Sequence, residues 1–171
     1  MNSLSTWLSH GHGDTPTCLR SAGMHVDLWQ SVDGSAWRAY ASGGIPEGEG
    51  VSWAALLPLL DLQGASRGEV ATHHYVVETD VSQQELDEFN AWYDTEHVPG
   101  LARVPGTVRA RRFRRLDGNP RFIACYDLTT LLTLERPEWL AVRHTPWSDR
   151  VRLMFRGTIR TMYQRAQLSK S

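Results

Sequence analysis

Lysine is almost absent from this chain: there is one, against 17 arginines. The bias reads as genomic codon usage and carries no mechanism. Cysteine is nearly as scarce. Cys18 and Cys125 share no spacing motif, which excludes a disulfide framework and points to thiols in a reducing cytoplasm. Long apolar runs are missing too, and none approaches the roughly 20 residues of a transmembrane helix. Met1 to Gly13 has no basic stretch leading into an apolar one, so no secretory signal is expected and the expected location is cytoplasmic. With a net charge of −1 there is no global attraction to nucleic acid or membrane. No Gly-rich phosphate loop, Walker sequence or nucleophile elbow occurs, and nothing calls for a cofactor.

What remains is an ordinary globular composition, 41% hydrophobic and 22% charged over 171 residues, enough for one sizeable core or two small ones. Charge is unevenly placed. Residues 1–68 hold three basic and six acidic side chains and residues 69–171 hold fifteen and thirteen, with seven arginines from Arg103 to Arg121. The basic excess therefore belongs to one hairpin.

Residues 1–23 read as a short helix or a loose arm, with Leu4, Trp7 and Leu8 as its apolar patch. Met24 to Gln30 and Ala36 to Ala41 are short β-capable runs around Asp33-Gly34, a strong hairpin signal. Ser42 to Gly50 is a Gly-rich linker. Val51 to Leu62 is apolar throughout and is expected to be helical, kinked near Pro58. Gln63 to Gly68 is a boundary, dividing the chain into an extension over 1–68 and a unit over 69–171.

The second part is clearer. Ala71 to Thr79 is a strand. Ser82 and Glu85 form a capping box for a helix over 82–97, which Pro99-Gly100 should stop. Thr107 to Leu116 and Arg121 to Leu128 are strands joined through Asp117-Gly118. Pro137 to Phe155 reads as a helix interrupted by Pro146, and Thr158 to Ala166 alternates as a final strand. The order β-α-β-β-α-β is that of the ferredoxin-like α+β unit, four antiparallel strands with two helices on one face. The other face is bare and must find cover. Overlaying Val32-Asp33-Gly34 on Leu116-Asp117-Gly118 aligns Trp29 with Phe113, so residues 1–68 are a candidate reduced copy, hairpin plus helix, lacking its first strand and helix.

The stretch Phe89 to Gly106 concentrates aromatics, acids and a histidine where that helix should end. Asp94 and Glu96 there oppose the helix macrodipole, and local violations of this kind gather at functional sites. Trp92-Tyr93-Asp94-Thr95-Glu96-His97-Val98-Pro99, the turn Val104-Pro105-Gly106 and Arg111-Arg112-Phe113 resemble the dimeric α+β barrel superfamily, most closely its EthD-like branch. The resemblance covers residues 71–166. It implies two four-stranded sheets paired into a barrel, between chains as a homodimer or partly within one chain, and a cavity between sheet and helices for a small organic molecule, commonly lined by the helix-end histidine.

His97 is the leading candidate for catalysis, because imidazole transfers protons near neutral pH; it could equally cap the last carbonyls of the helix. Tyr93, four residues earlier, shares its face and could hold a substrate oxygen. Trp92, Asp94, Glu96, Arg112 and Tyr126 complete the candidate set as substrate contacts. The bland alternatives are core packing for Trp92 and ion pairs to nearby arginines for Asp94 and Glu96. On residues 107–116, alternation puts Arg112 and Arg114 with Val108 and Ala110, and Arg109, Arg111, Phe113 and Arg115 on the other face. A buried arginine there needs an anionic partner, from the protein or from substrate; arginines along an exposed edge strand are the simpler expectation. His73-His74 point opposite ways in a strand, and His10-x-His12 and His144 lack partners, so no metal is expected. Cys125 is an apolar filler. Two readings follow: a cofactor-independent enzyme of proton transfer or a monooxygenase, acting on a small cyclic or aromatic compound, or a non-catalytic ligand-binding or assembly module.

Overall fold

The computed structural model describes residues 6–21, 26–45 and 50–166; Leu4 and Met24, read above as parts of elements, lie outside them. Eight strands carry the fold: β1 Thr6–His12, β2 Val26–Ser31, β3 Ala36–Ser42, β4 Ala54–Gln63, β5 His73–Asp80, β6 Thr107–Arg115, β7 Phe122–Leu128 and β8 Arg156–Arg165. They close a barrel in the order β1-β3-β2-β8-β5-β7-β6-β4, with every pairing antiparallel.

Read by halves, this order is a repeat. The second half runs β8-β5-β7-β6 across its sheet and the first runs β4-β1-β3-β2, the same arrangement strand for strand. Pairings β2–β8 and β4–β6 join the halves at both edges. The bare face expected for residues 71–166 is thus covered by residues of the same chain. A second chain is not needed to close the barrel, which removes the need from which a homodimer was inferred.

Three expectations for the first half are corrected. Residues 6–12 form strand β1, and the reduced copy does have its first helix, α1, Thr17–Ser21. Among the described residues there is no helix between β3 and β4. The segment read as a helix over 51–62 is strand β4, which pairs with both β1 and β6. Leucines on both faces hide its alternation: Leu56 is buried in the barrel, while Leu60 and Leu62 pack beneath the helices of the second half. Pro58 sits at a register shift between Pro58 and Leu60, a place where a strand tolerates proline. In β1, Gly11 lets the Trp37 indole lie across the strand; a Cβ there would come within 2.8 Å of its Nε1.

In the second half, α2 spans Leu86–Trp92, a π-helical turn spans Tyr93–His97, and α3 spans Val98–Ala102. The helix therefore does not stop at Pro99. Proline has no N–H for the α-helical ladder, and its ring crowds the carbonyl four residues back. The turn widens instead: Val98 N–H bonds to the carbonyl of Tyr93, five residues earlier, and a new helix starts with Pro99 in its first turn. The Ser82–Glu85 pair forms between side chains, Ser82 Oγ donating to Glu85 Oε2 at 2.6 Å, with no side-chain cap on the backbone. Helices α4 Pro137–Arg143 and α5 Pro146–Arg152 divide at Pro146, and Thr145 caps α5 by accepting from Ser148 N–H. Phe89, Trp92, Val98, Leu101, Trp139 and Val151 pack onto Ala110, Phe122, Ala124 and Tyr126 of the sheet. At about 1.5–3 kcal/mol for each large side chain, this burial holds helices too short to persist alone.

Inside the barrel, apolar side chains such as Trp29, Phe113, Ile123 and Cys125 surround a chain of charged groups. Arg115 Nη2 donates to Glu78 Oε1 at 2.8 Å and Arg38 Nη1 to Glu78 Oε2 at 3.1 Å. Arg38 Nε donates to Tyr40 Oη at 2.7 Å, and Tyr40 Oη lies 3.0 Å from His74 Nε2. His74 Nδ1 lies 2.7 Å from Asp127 Oδ1, and Arg111 Nη2 bonds both oxygens of Asp127. Arg38 and Tyr40 come from the first half, the rest from the second, so the network ties the halves across the lumen. Of the β6 arginines expected along an exposed edge, Arg111, Arg112 and Arg115 are buried, and β4 pairs along that edge, whereas Arg109 is partly exposed and Arg114 exposed.

Candidate functional site

A cavity lies between the second half's sheet and its helices. Tyr75 and Val77 of β5 and Tyr126 of β7 form its floor; Trp92, Tyr93, His97 and Leu101 form the helix wall. Trp139 and Phe155 close the far side, and Arg143, Arg152 and Arg160 stand at its mouth. The space open to the centres of water molecules is about 40 Å³, room for roughly three waters.

The His97 ring stacks on Trp92 with centroids 4.2 Å apart and meets Tyr93 edge-on at 5.6 Å. Trp92 is itself fixed by donating its Nε1 hydrogen to Ser148 Oγ at 3.1 Å. Among the described residues, His97 Nδ1 is buried without a hydrogen-bond partner, and so is Tyr126 Oη. Burial, then the charges of Arg152, Arg143 and Arg112, pulls the His97 pKa from 6.5 down to about 3, so the ring is neutral. Burial pushes the Tyr93 and Tyr126 phenols up, so both keep their protons.

Four of the seven residues singled out in the sequence, His97, Tyr93, Trp92 and Tyr126, line this one cavity. The other three are placed elsewhere. Arg112, 1% exposed, donates to Asp94 at 2.5 Å and to Asn90 at 2.9 Å, and its guanidinium lies 4.3 Å over the Tyr93 ring. Glu96 accepts from the Thr145 hydroxyl at 2.5 Å, tying the π turn to the start of α5. The acids that oppose a helix C-terminus thus stand mid-helix and are paired. Sequence reading missed Tyr75, Trp139 and the three arginines at the mouth. Only the π turn left a local trace, in Pro99 placed six residues after Tyr93.

The histidine pair divides as strand alternation requires. His73 is half-buried beside Thr72, whereas His74 is fully buried. Burial lowers the His74 pKa more than Asp127 raises it, so the ring is neutral: Nδ1–H donates to Asp127 and Nε2 accepts from Tyr40. Unfolding would let His97 protonate as pH falls through 6.5, while the folded state keeps it neutral; the lowered pKa of His74 acts in the same direction. Stability is therefore full above that pH and is lost below it, by roughly 1.4 kcal/mol for His97 one pH unit down. Thermal melts between pH 7.5 and 5 should show this decline, and His97→Asn should remove its share. A melting temperature flat over that range would contradict the neutral buried rings.

A wider cleft, about 500 Å³ by the same measure, opens at one end of the barrel. Each of its arginines already holds a carboxylate: Arg109 with Asp61, Arg111 with Asp127 and Arg165 with Asp27. The helix-side cavity differs in having no carboxylate among its lining residues.

Neither a family model nor a curated protein matches this chain. Solved structures do. An uncharacterised ferredoxin-fold protein from Listeria monocytogenes, related to antibiotic biosynthesis monooxygenases, superposes with a TM-score of 0.63 at 16% identity, over 96% of each chain. The fold is that of the dimeric α+β barrels. An anthrone oxidase-like protein matches with a TM-score of 0.63 at 15% identity, over 97% of this chain and 92% of its own. A major regulator of staphylococcal pathogenesis matches at 0.65 and 8% identity, over 94% and 99%. These likenesses extend over both halves of the α+β barrel, and at such identities they establish the fold alone. No helix among the described residues is long and apolar enough to cross a membrane.

Proposed function

We propose that this α+β barrel protein is a small-molecule enzyme that works in the helix-side cavity on a small cyclic or aromatic compound. The reaction is proton transfer (isomerisation, cyclisation or dehydration) or monooxygenation without a bound cofactor. One observation carries the reading: two buried polar atoms, His97 Nδ1 and Tyr126 Oη, have no partner among the described residues and belong to residues that line the same aromatic-walled cavity. Most buried polar atoms are paired, and of the unpaired ones these two belong to one cavity, which makes it a place for ligand atoms. Neutral His97 accepts a proton from substrate, and a protonated Tyr126 or Tyr93 donates a hydrogen bond to the oxygen on which charge develops. The deprotonated substrate is the intermediate shared by isomerisation, dehydration and attack on dioxygen. The EthD-like helix end read at Trp92 to Pro99 and the names of two structural neighbours support this class. A ring-sized substrate enters only if the arginine side chains at the mouth swing outward.

The second reading, a ligand-binding module without turnover, is favoured by the small closed volume and by the regulator among the neighbours. Anthrone separates the two. With purified protein, deuterium exchange into its benzylic position without air, or oxygen uptake in air, is expected above the uncatalysed rate. Binding of anthrone with neither activity supports the module and contradicts the enzyme.

A further inference from the structure

The arginines at the mouth come from three different elements: Arg143 ends α4, Arg152 ends α5 and Arg160 lies on β8. Nothing local in the sequence requires them to meet, yet all three line one aromatic cavity of which no lining residue is acidic. Among the described residues Arg152 holds Asp149, and the charge of Arg160 acts on the Tyr75 phenol, but neither Arg143 nor Arg160 has a carboxylate partner. Cations set beside a low-dielectric pocket without counter-charge form an electrostatic funnel for an anion.

Resting on the reading of this cavity as a ligand site, we infer that its ligand is a planar aromatic anion, an ionised carboxylate or acidic phenol on a ring. Its anionic group binds Arg143 and Arg160, with Arg152 beside them. The ring lies among Trp92, Tyr126 and Trp139, and the anionic end faces outward because Arg160 is the exposed residue of the wall. A planar carboxylate fits the guanidinium fork, which can bond both oxygens at once. The anion would also offset the arginine charges that help hold His97 unprotonated, making the ring a better base once substrate is in place.

The test compares 2-naphthoate with the uncharged isostere 2-naphthamide, by calorimetry and by quenching of the cavity tryptophans in the full chain. The expected result is that the acid binds about tenfold tighter or more, the difference shrinking with added salt. Arg143→Gln with Arg160→Gln should abolish the preference but leave naphthamide binding and the unfolding midpoint unchanged. The single variant Arg160→Gln should give an intermediate preference if the double variant is unstable. Equal binding of acid and amide, or a preference that survives the double variant, overturns the anion inference while leaving the cavity a ligand site. Binding of neither compound overturns both.

Discussion

Glu78→Ala is expected to lower the unfolding free energy by about 3–5 kcal/mol, a large share of the 5–15 typical of a domain. Glu78 is 7% exposed and holds Arg115 and Arg38, the latter completely buried, on its two oxygens. Burial pushes its carboxyl up, but the two arginines outweigh burial and keep it below its ordinary value, so it is ionised. Removing it leaves two cations inside the barrel with no anion near them, and one of them belongs to the other half of the chain. The loss should therefore appear as cooperative unfolding of the whole barrel, seen as a lower urea midpoint with an unchanged slope. The exposed Arg109–Asp61 pair, with side chains 39% and 46% accessible, is the control: Asp61→Ala should cost no more than about 1 kcal/mol. Similar effects of the two substitutions would mean that the lumen network does not hold the halves together.

His97→Ala is expected to reduce turnover by about 10²–10⁴-fold, the usual worth of a positioned proton-transfer group. Its Nδ1 has no partner to lose, so the substitution strands no hydrogen bond; what it removes from the fold is the stack on Trp92. Folding should survive, with binding of an aromatic anion weakened by much less than turnover. Tyr126→Phe, which deletes only an unpartnered hydroxyl, should likewise spare stability and reduce the rate. Unchanged rates in both variants would leave the cavity without a catalytic role.

How much of this was legible in the sequence varies along the chain. The second half was readable because its signals are local: alternation in residues 71–79 and 158–166, Asp117-Gly118 at a turn, Pro137 and Pro146 at helix starts. His97 and Tyr93 could be paired from a spacing of four, and the faces of β6 from a period of two from Ala110 onward, a register shift near its start putting Val108 on the side of Phe113. Strands β1 and β4 were not readable, because what makes them strands is pairing with distant partners. Thr6–His12 has no β-branched run beyond Thr6, and the leucines of β4 fall on both faces of the strand, so no alternation shows. The role of His74 was hidden for the same reason: Asp127 and Tyr40 reach it only when the barrel closes. Arg143, Arg152 and Arg160 carry no motif, and only the packing of α4 and α5 against β8 brings them to one opening.

The most direct test is a crystal structure of the protein soaked with 2-naphthoate. The expected result is a ring between the β5–β7 floor and Trp92, its carboxylate on Arg143 and Arg160, with His97 Nδ1 facing the ligand. Density confined to the cleft among Asp27, Asp61 and Arg109, with the helix-side cavity unchanged, would contradict it.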